Sequence, residues 1–139
     1  MSRNDFITQT EKKLEYYSDF TDDFLKHPVT NQLVKVTNEQ AVIQSIKNLI
    51  QTNLGEWPFR PDLGSNIRRS LFDLYGPFLV EDMKIAISDV IKHSEPRAKL
   101  LQVDIYEAEG LNAIGASIMF QIINQPQPST LDIVLKRVR

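Results

Sequence analysis

The sequence of 139 residues contains no cysteine and only two histidines, so it lacks residues on which many reactive and metal-binding sites depend. Without cysteine the chain forms neither disulfides nor thiolate metal sites, which agrees with a reducing compartment. His27 and His93 lie far apart and show no triad spacing. The sequence has no glycine-rich phosphate loop and no Asp/His pattern with metal-ligand spacing. We therefore expect no catalytic residues, no cofactor and no metal.

Long apolar runs and a strong excess of either charge are also absent. The 16 basic and 18 acidic residues leave a net charge of -2, which creates no field that would draw the whole molecule to nucleic acid. No stretch approaches the ~18 apolar residues that a membrane span requires. The first residues lead into no apolar segment of the signal-peptide type. We expect neither nucleic acid nor a membrane as a partner.

The pattern along the chain indicates an N-terminal arm, residues 1–31, followed by a single α+β domain, residues 32–139. In the arm, aromatic residues are scattered among charges, and Asp19, Asp22 and Asp23 interrupt any helical face. Two interpretations stay open for this arm. It is either a mobile terminus or a segment that folds onto a neighbouring subunit.

Three stretches in the middle of the domain carry apolar residues at helical spacing. The first follows Thr37 and Asn38, which have capping chemistry, and should stop near Gly55. Ser65 or Asn66 can cap a second, short helix. The three sets of apolar positions are Val42, Ile46, Leu49 and Ile50; then Ile67, Leu71, Phe72 and Leu74; and then Leu79, Met83, Ile87, Val90 and Ile91.

After Pro96 the apolar period changes from about 3.6 residues to about 2, which is typical of strands. Three alternating runs predict an antiparallel meander with one buried face, covered by the central helices. In the last run Leu131, Ile133 and Leu135 supply the buried face and alternate with Val134. An open edge there would suit pairing with a partner strand, whereas the basic residues at the end of the run could instead blunt the edge.

The triplet Glu95-Pro96-Arg97 stands at the joint between the third helix and the first strand of the meander. Pro96 ends the helix and holds two opposite charges at a corner. Such a pair is either an ordinary solvated turn or a charged feature presented to a partner. We expect both charges to be exposed, so that alanine at both positions would leave stability nearly unchanged, within about 0–1 kcal/mol.

Trp57-Pro58-Phe59 follows the first helix, and Pro58 prevents the helix from continuing. Large aromatic residues in this position commonly close the end of a core, although they can also form a platform for a sugar or another ligand. We expect the Trp57 ring to be buried.

Several segments, taken together, resemble the sheath-initiator wedge subunits of contractile phage baseplates, a family that includes the small baseplate subunit of type VI secretion systems. These segments are residues 38–42 with 45–50, the loop of residues 55–65, and Glu95-Pro96-Arg97. The resemblance spans about residues 19–139. The length of the chain and its acidic, aromatic N-terminal segment are most similar to the subunits of T-even-type phages.

The resemblance implies a structural protein rather than an enzyme. It implies that Glu95 and Arg97, fixed in direction by Pro96, bind the wedge core by charge-assisted hydrogen bonds. It implies that the last strand, with Leu131, Ile133, Val134 and Leu135, templates the first sheath ring by β-augmentation. The expected partners are other wedge subunits and the tail sheath protein, with the tail tube region as a further candidate. The expected location is the baseplate of the virion, after assembly in the host cytoplasm.

Two other functions remain open from the sequence. A lysozyme-like cell-wall glycoside hydrolase would need two suitably placed carboxylates. Glu95 and Asp104 have the separation of the acidic pair in small phage lysozymes, but Gly110 stands where such enzymes carry a threonine. The other alternative is a free-standing regulatory module.

Overall fold

The computed structural model describes Leu14, residues 16–108 and residues 113–136. The described chain is α+β, as the sequence predicts, with helices in the middle and a three-stranded antiparallel sheet near the end. No helix of this part is both long and apolar enough to cross a bilayer. The elements are β1 (Ser18–Phe20), β2 (Lys35–Thr37), α1 (Glu39–Gln51), α2 (Ile67–Ser70), α3 (Pro77–Ser94), β3 (Ala98–Ala108), β4 (Ala113–Ile122) and β5 (Pro128–Lys136).

The predicted meander is confirmed, with the strand order β3-β4-β5 and antiparallel pairing throughout. One row of paired residues on the face opposite the helices joins Tyr106, Gly115 and Val134 across the three strands. The register shifts between Leu100 and Gln102, where β3 carries a bulge. Because β4 is central, β3 and β5 form the two edges of the sheet.

The core lies between the helices and one face of the sheet. The predicted apolar positions of α1 and α3 are all buried, and so are the inward-facing residues of β4 and β5. The second helix is shorter than the pattern suggests: it ends at Ser70, and Phe72 and Leu74 are exposed. The buried cluster comprises Val42, Ile46, Ile50, Ile67, Leu71, Leu79, Met83, Ile87, Ile91, Ala98, Ile114, Ala116, Ile118, Phe120, Ile122, Leu131, Ile133 and Leu135.

Asn38 precedes α1, but it does not cap the helix with its side chain, contrary to the sequence prediction. Its side chain binds the N-terminal segment instead, accepting from the backbone N–H of Tyr16 at 2.8 Å and donating to the carbonyl of Leu14 at 2.9 Å. The backbone of Asn38 has a φ of 49°, which asparagine tolerates better than most residues. Together with the pairing of β1 with β2, these bonds connect residues before 31 to the rest of the fold. The domain division at residue 31 stays a prediction.

The loop between α1 and α2 is closed at its base by backbone bonds. The N–H of Ser65 donates to the carbonyl of Thr52 at 2.8 Å, and the N–H of Gly55 donates to the carbonyl of Pro61 at 3.0 Å. Residues 56–60, which lie inside the closure at Gly55, are all exposed. Trp57 is consequently 55% exposed and Phe59 96% exposed, so the expectation that Trp57 closes the core is wrong.

Gly64 and Gly55 in this loop provide a matched pair for testing its backbone. Both have positive φ, 114° and 81°, but a Cβ atom at Gly64 would lie 2.6 Å from the carbonyl oxygen of Thr52, whereas one at Gly55 would meet nothing within 4 Å. We expect Gly64→Ala to destabilise the fold by about 3 kcal/mol or more, from strain and overlap combined. Gly55→Ala should cost about 1 kcal/mol, from backbone strain alone. Urea denaturation measures both, and equal losses would contradict the described loop.

Candidate partner-binding site

The Glu95-Pro96-Arg97 joint is a tight turn that links α3 to β3. The backbone N–H of Glu95 donates to the carbonyl of Ile91 at 3.0 Å and so completes the last turn of α3. The N–H of Ala98 then donates to the carbonyl of Glu95 at 3.2 Å, which returns the chain into the sheet. Pro96 suits the position between them, because it cannot continue a helix and lacks a donor.

Glu95 and Arg97 form a bidentate ion pair within this turn. The Arg97 Nε donates to Oε1 of Glu95 at 2.6 Å, and Nη2 donates to Oε2 at 2.7 Å. Glu95 is only 2% exposed and the Arg97 side chain is 31% exposed. The expectation that both charges face solvent is therefore wrong for Glu95. Removing one partner of a buried pair leaves an uncompensated charge, so we expect alanine at Glu95 alone or at Arg97 alone to destabilise the fold.

A third residue, Ser45 of α1, completes the surroundings of the carboxylate. Its hydroxyl donates to Oε2 of Glu95 at 2.5 Å, across 50 positions in the sequence. This contact of Ser45 was not predicted from the sequence. A signal was present, because Ser45 occupies the helical stripe that also holds Ala41, Val42 and Leu49, all buried. A polar residue in such a stripe needs a buried partner.

The electrostatics of the joint keep the carboxylate ionised. Burial by itself would raise the pKa of Glu95, but the hydrogen bonds from Arg97 and Ser45, together with the positive charge of Arg97, outweigh it and hold this pKa below its ordinary value. The hydrogen bond to Glu95 likewise raises the pKa of Arg97. The site is thus a fully charged pair at neutral pH.

Tyr17, in the N-terminal segment, also contacts Arg97. Its guanidinium lies over the Tyr17 ring, with 5.4 Å between the guanidinium carbon and the ring centroid. The Tyr17 hydroxyl accepts a hydrogen bond from Asn124 at 3.2 Å. Glu95 occupies Nε and Nη2, and among the described residues none accepts a hydrogen bond from Nη1. One edge of a fixed guanidinium therefore remains available to another molecule.

The second predicted set of site residues lies on β5, away from this joint. Leu131, Ile133 and Leu135 are buried against the helices, and Val134 is 46% exposed on the opposite face. β5 is one edge of the sheet and β3, which follows Arg97, is the other. The structure therefore separates the predicted residues into two surfaces instead of bringing them together.

The carboxylates of the hydrolase alternative do not form a catalytic pair. A general acid in glycoside hydrolysis needs a raised pKa, whereas the pKa of Glu95 is lowered and both of its oxygens accept hydrogen bonds from neighbouring side chains. Asp104 lies on the exposed face of β3, where it accepts a hydrogen bond from Gln102 at 2.6 Å. Within the described residues no group of three or more His, Asp or Glu side chains could hold a metal ion.

Comparison with known sequences identifies one protein family. The family described as baseplate wedge protein gp25 matches residues 36–127, which include α1, the loop, the joint and most of the sheet. The baseplate wedge protein gp25 of Enterobacteria phage T4 is 27% identical over 88 residues, which cover 60% of this chain and 67% of the phage protein.

Two solved structures share the fold. A crystal structure from Geobacter sulfurreducens, described as a tail lysozyme, superposes with a TM-score of 0.67 at 20% identity and covers 73% of this chain and 92% of the other. A chain in the cryo-EM structure of the anti-feeding prophage baseplate superposes with a TM-score of 0.62, also at 20% identity, and covers 88% of this chain and 87% of the other. At this identity the two structures support the fold alone.

Glu95→Gln tests the charge of the buried carboxylate, because it preserves the shape of the side chain. The pKa of Glu95 in the folded protein is lowered from 4.5. The ion pair therefore stabilises the fold fully above that value, and its contribution is lost as the pH falls through the lower folded-state pKa. We expect the substitution to cost about 1–3 kcal/mol at pH 7, and we expect the gap from wild type to shrink as the pH falls below about 4.5.

Urea denaturation between pH 7 and pH 3 measures this gap. Asp104→Asn serves as the control, since it removes an exposed carboxylate and should alter stability by no more than about 0.5 kcal/mol. A gap between Glu95→Gln and wild type that stays constant or widens toward acid would show that Glu95 is not the stabilising anion.

Proposed function

Because this chain belongs to the baseplate wedge protein gp25 family, we propose that it binds the wedge core of a contractile tail through the Arg97 joint and starts the sheath at the edge of β5. Membership of the family makes it a structural component of the baseplate of a contractile phage tail, or of a related system. Other baseplate subunits are therefore its partners. The two specific contacts, and assembly in the host cytoplasm, are our proposal.

The observation that carries the wedge-core contact is the bidentate bond between Arg97 and buried Glu95. A long side chain normally loses rotamer freedom when it binds, which costs about 0.5–1.5 kcal/mol. Arg97 has already lost that freedom, because Glu95 holds two of its nitrogens and Tyr17 covers its face. Its remaining donors point in a fixed direction. Such a group suits a carboxylate or a carbonyl on a partner surface.

Large exposed apolar side chains support the proposal that the protein is part of an assembly. Phe59 is 96% exposed, and Leu74 and Phe78 are almost as open to solvent. All three lie between the end of α1 and the first turn of α3, in the part of the chain that surrounds α2. Proteins that stay monomeric seldom present so many large apolar groups from one segment. We infer that neighbouring baseplate subunits cover this part of the molecule.

The edge of β5 supports the sheath contact. Its inward residues are buried and its partner β4 lies on one side only, so the outer hydrogen-bonding groups of β5 are open among the described residues. An added strand from the sheath protein would satisfy these groups, with backbone bonds supplying affinity and side chains supplying selectivity. Repetition around a ring would then strengthen individually weak contacts.

We infer that the chain acts by binding and not as a hydrolase. The lowered pKa of Glu95 leaves it without the proton that a general acid donates. The T4 relative is named as a baseplate wedge protein. The likeness to a structure described as a tail lysozyme concerns the fold, and fold alone does not imply activity.

Arg97→Lys tests the wedge-core contact. Lysine keeps the positive charge but cannot make the bidentate bond or hold a fixed direction. The variant is co-expressed with the other wedge proteins of its own tail, and the amount recovered in wedges is measured. We expect this amount to fall by about tenfold, which corresponds to ~1.4 kcal/mol. Lys47→Arg, at an exposed position on α1, is the control that likewise exchanges one cation for the other, and it should assemble normally. Urea denaturation of each free variant gives its fraction folded, to which recovery is normalised. Wild-type recovery of Arg97→Lys would contradict the contact.

Hydrogen–deuterium exchange tests the sheath contact without a substitution. In baseplates that lack sheath, the β5 amides that do not pair with β4 should exchange quickly. In tails with sheath we expect the same amides to exchange at least about tenfold more slowly, since an added strand accepts their hydrogens. Amides at the bulge of β3, residues 100–103, serve as the internal control. Unchanged exchange along β5 would mean that the sheath binds elsewhere.

A further inference from the structure

A groove of about 390 Å³ separates the loop after α1 from the outer face of α3. It is independent of both the Arg97 joint and the β5 edge, since neither contributes to its lining. Its α3 side follows one helical stripe, in which Asp82, Ile85, Asp89 and His93 recur at intervals of three or four residues. The loop side includes Leu54 and Asp62, opposite this stripe.

The apolar part of the lining is incompletely covered. Val90 is buried and Ala86 is half-buried. Ile85 and Leu54 also line the groove, and each is about half exposed. Ile85 stands on the side of α3 that the core does not use. Removing these aliphatic surfaces from water would be favourable, at roughly 25 cal/mol per Å². The groove can therefore bind an apolar side chain.

The charged part of the lining has a single sign at neutral pH. Three carboxylates contribute, from Asp62, Asp82 and Asp89, and none of the described lysines or arginines lines the groove. Asp62 has a loose contact of 3.8 Å with Arg60, which is itself largely exposed. Among the described residues, Asp82 and Asp89 form no ion pair. The one ionisable nitrogen base present is His93, whose Nδ1 donates to the backbone carbonyl of Asp89 at 2.8 Å.

Shape and charge together define the occupant. Asp82 and Asp89 are seven positions apart on α3, which places them about 10 Å apart along the helix axis, with Ile85 between them. We propose that the groove docks a segment of another protein subunit in which basic residues flank an aliphatic residue. The aliphatic side chain packs on Ile85 and Leu54, and the flanking cations reach Asp82 and Asp89. This docking surface does not depend on the Arg97 or β5 contacts.

Two tetrapeptides probe this proposal on the isolated full-length protein. Acetyl-Arg-Leu-Ala-Arg-amide carries two cations around an aliphatic residue, and its backbone can extend over about 10 Å. Acetyl-Glu-Leu-Ala-Glu-amide has the same length and the opposite charge. Methyl-detected NMR follows the side chains of Leu54, Ile85, Ala86 and Val90 during titration. We expect saturable shifts of these methyl signals with the basic peptide, and none with the acidic one.

Charge-removing variants localise the binding. Asp82→Asn/Asp89→Asn should raise the dissociation constant of the basic peptide at least about fivefold, because it removes both proposed ionic contacts. Asp104→Asn/Asp132→Asn removes two carboxylates from the exposed face of the sheet and is the matched control, with no expected change. The NMR spectra of both variants report whether the fold is retained.

Three outcomes would overturn the proposal. They are the absence of methyl shifts with the basic peptide, equal shifts with both peptides, and equal weakening in the two double variants. The last would indicate a general attraction between opposite charges, spread over the surface. The peptide titration uses the isolated protein, whereas the wedge-core contact is measured on assembled wedges. A negative result in one experiment is therefore distinguishable from a negative result in the other.

Discussion

A carboxylate that is almost fully buried must have its charge compensated, and distant parts of this chain meet to do so at Glu95. Ser45 arrives from α1 and Arg97 from the start of β3, and both donate to the carboxylate. Tyr17, from the segment before β1, lies against the guanidinium. The end of α3 supplies Glu95 itself. One ionic cluster therefore connects two helices, the sheet and the N-terminal segment.

In the proposed function, the same contacts serve both stability and binding. The bonds that compensate Glu95 also immobilise Arg97, so a partner that binds the exposed edge of the guanidinium does not have to order it first. The edge of β5 and the groove along α3 contain none of the three residues of the Glu95-Pro96-Arg97 joint. We infer a subunit that meets several neighbours through separate surfaces, as a component between the core and the periphery of an assembly would.

The secondary structure was largely predictable, whereas the burial of particular polar and aromatic residues was not. Periodicity correctly predicts α3 and the strands, because one face of each element packs on the same core. It could not predict that Ser45 meets Glu95, since that contact joins positions far apart in the sequence. Trp57 was misjudged because the hydrogen bond that closes the loop at Gly55 turns the aromatic residue outward. The prediction that Asn38 caps α1 is wrong because its side chain bonds a segment 22 to 24 residues earlier in the sequence.

A cryo-EM map of the assembled baseplate that contains this chain would test the central claim most directly. We expect Arg97 to lie in an interface, with Nη1 within hydrogen-bond distance of a carboxylate or carbonyl oxygen of a wedge-core subunit. We also expect Glu95 still to hold Nε and Nη2 beneath that interface, with Ser45 in contact. A map in which the guanidinium faces solvent, or in which Glu95 has released it to pair with another residue, would contradict the account.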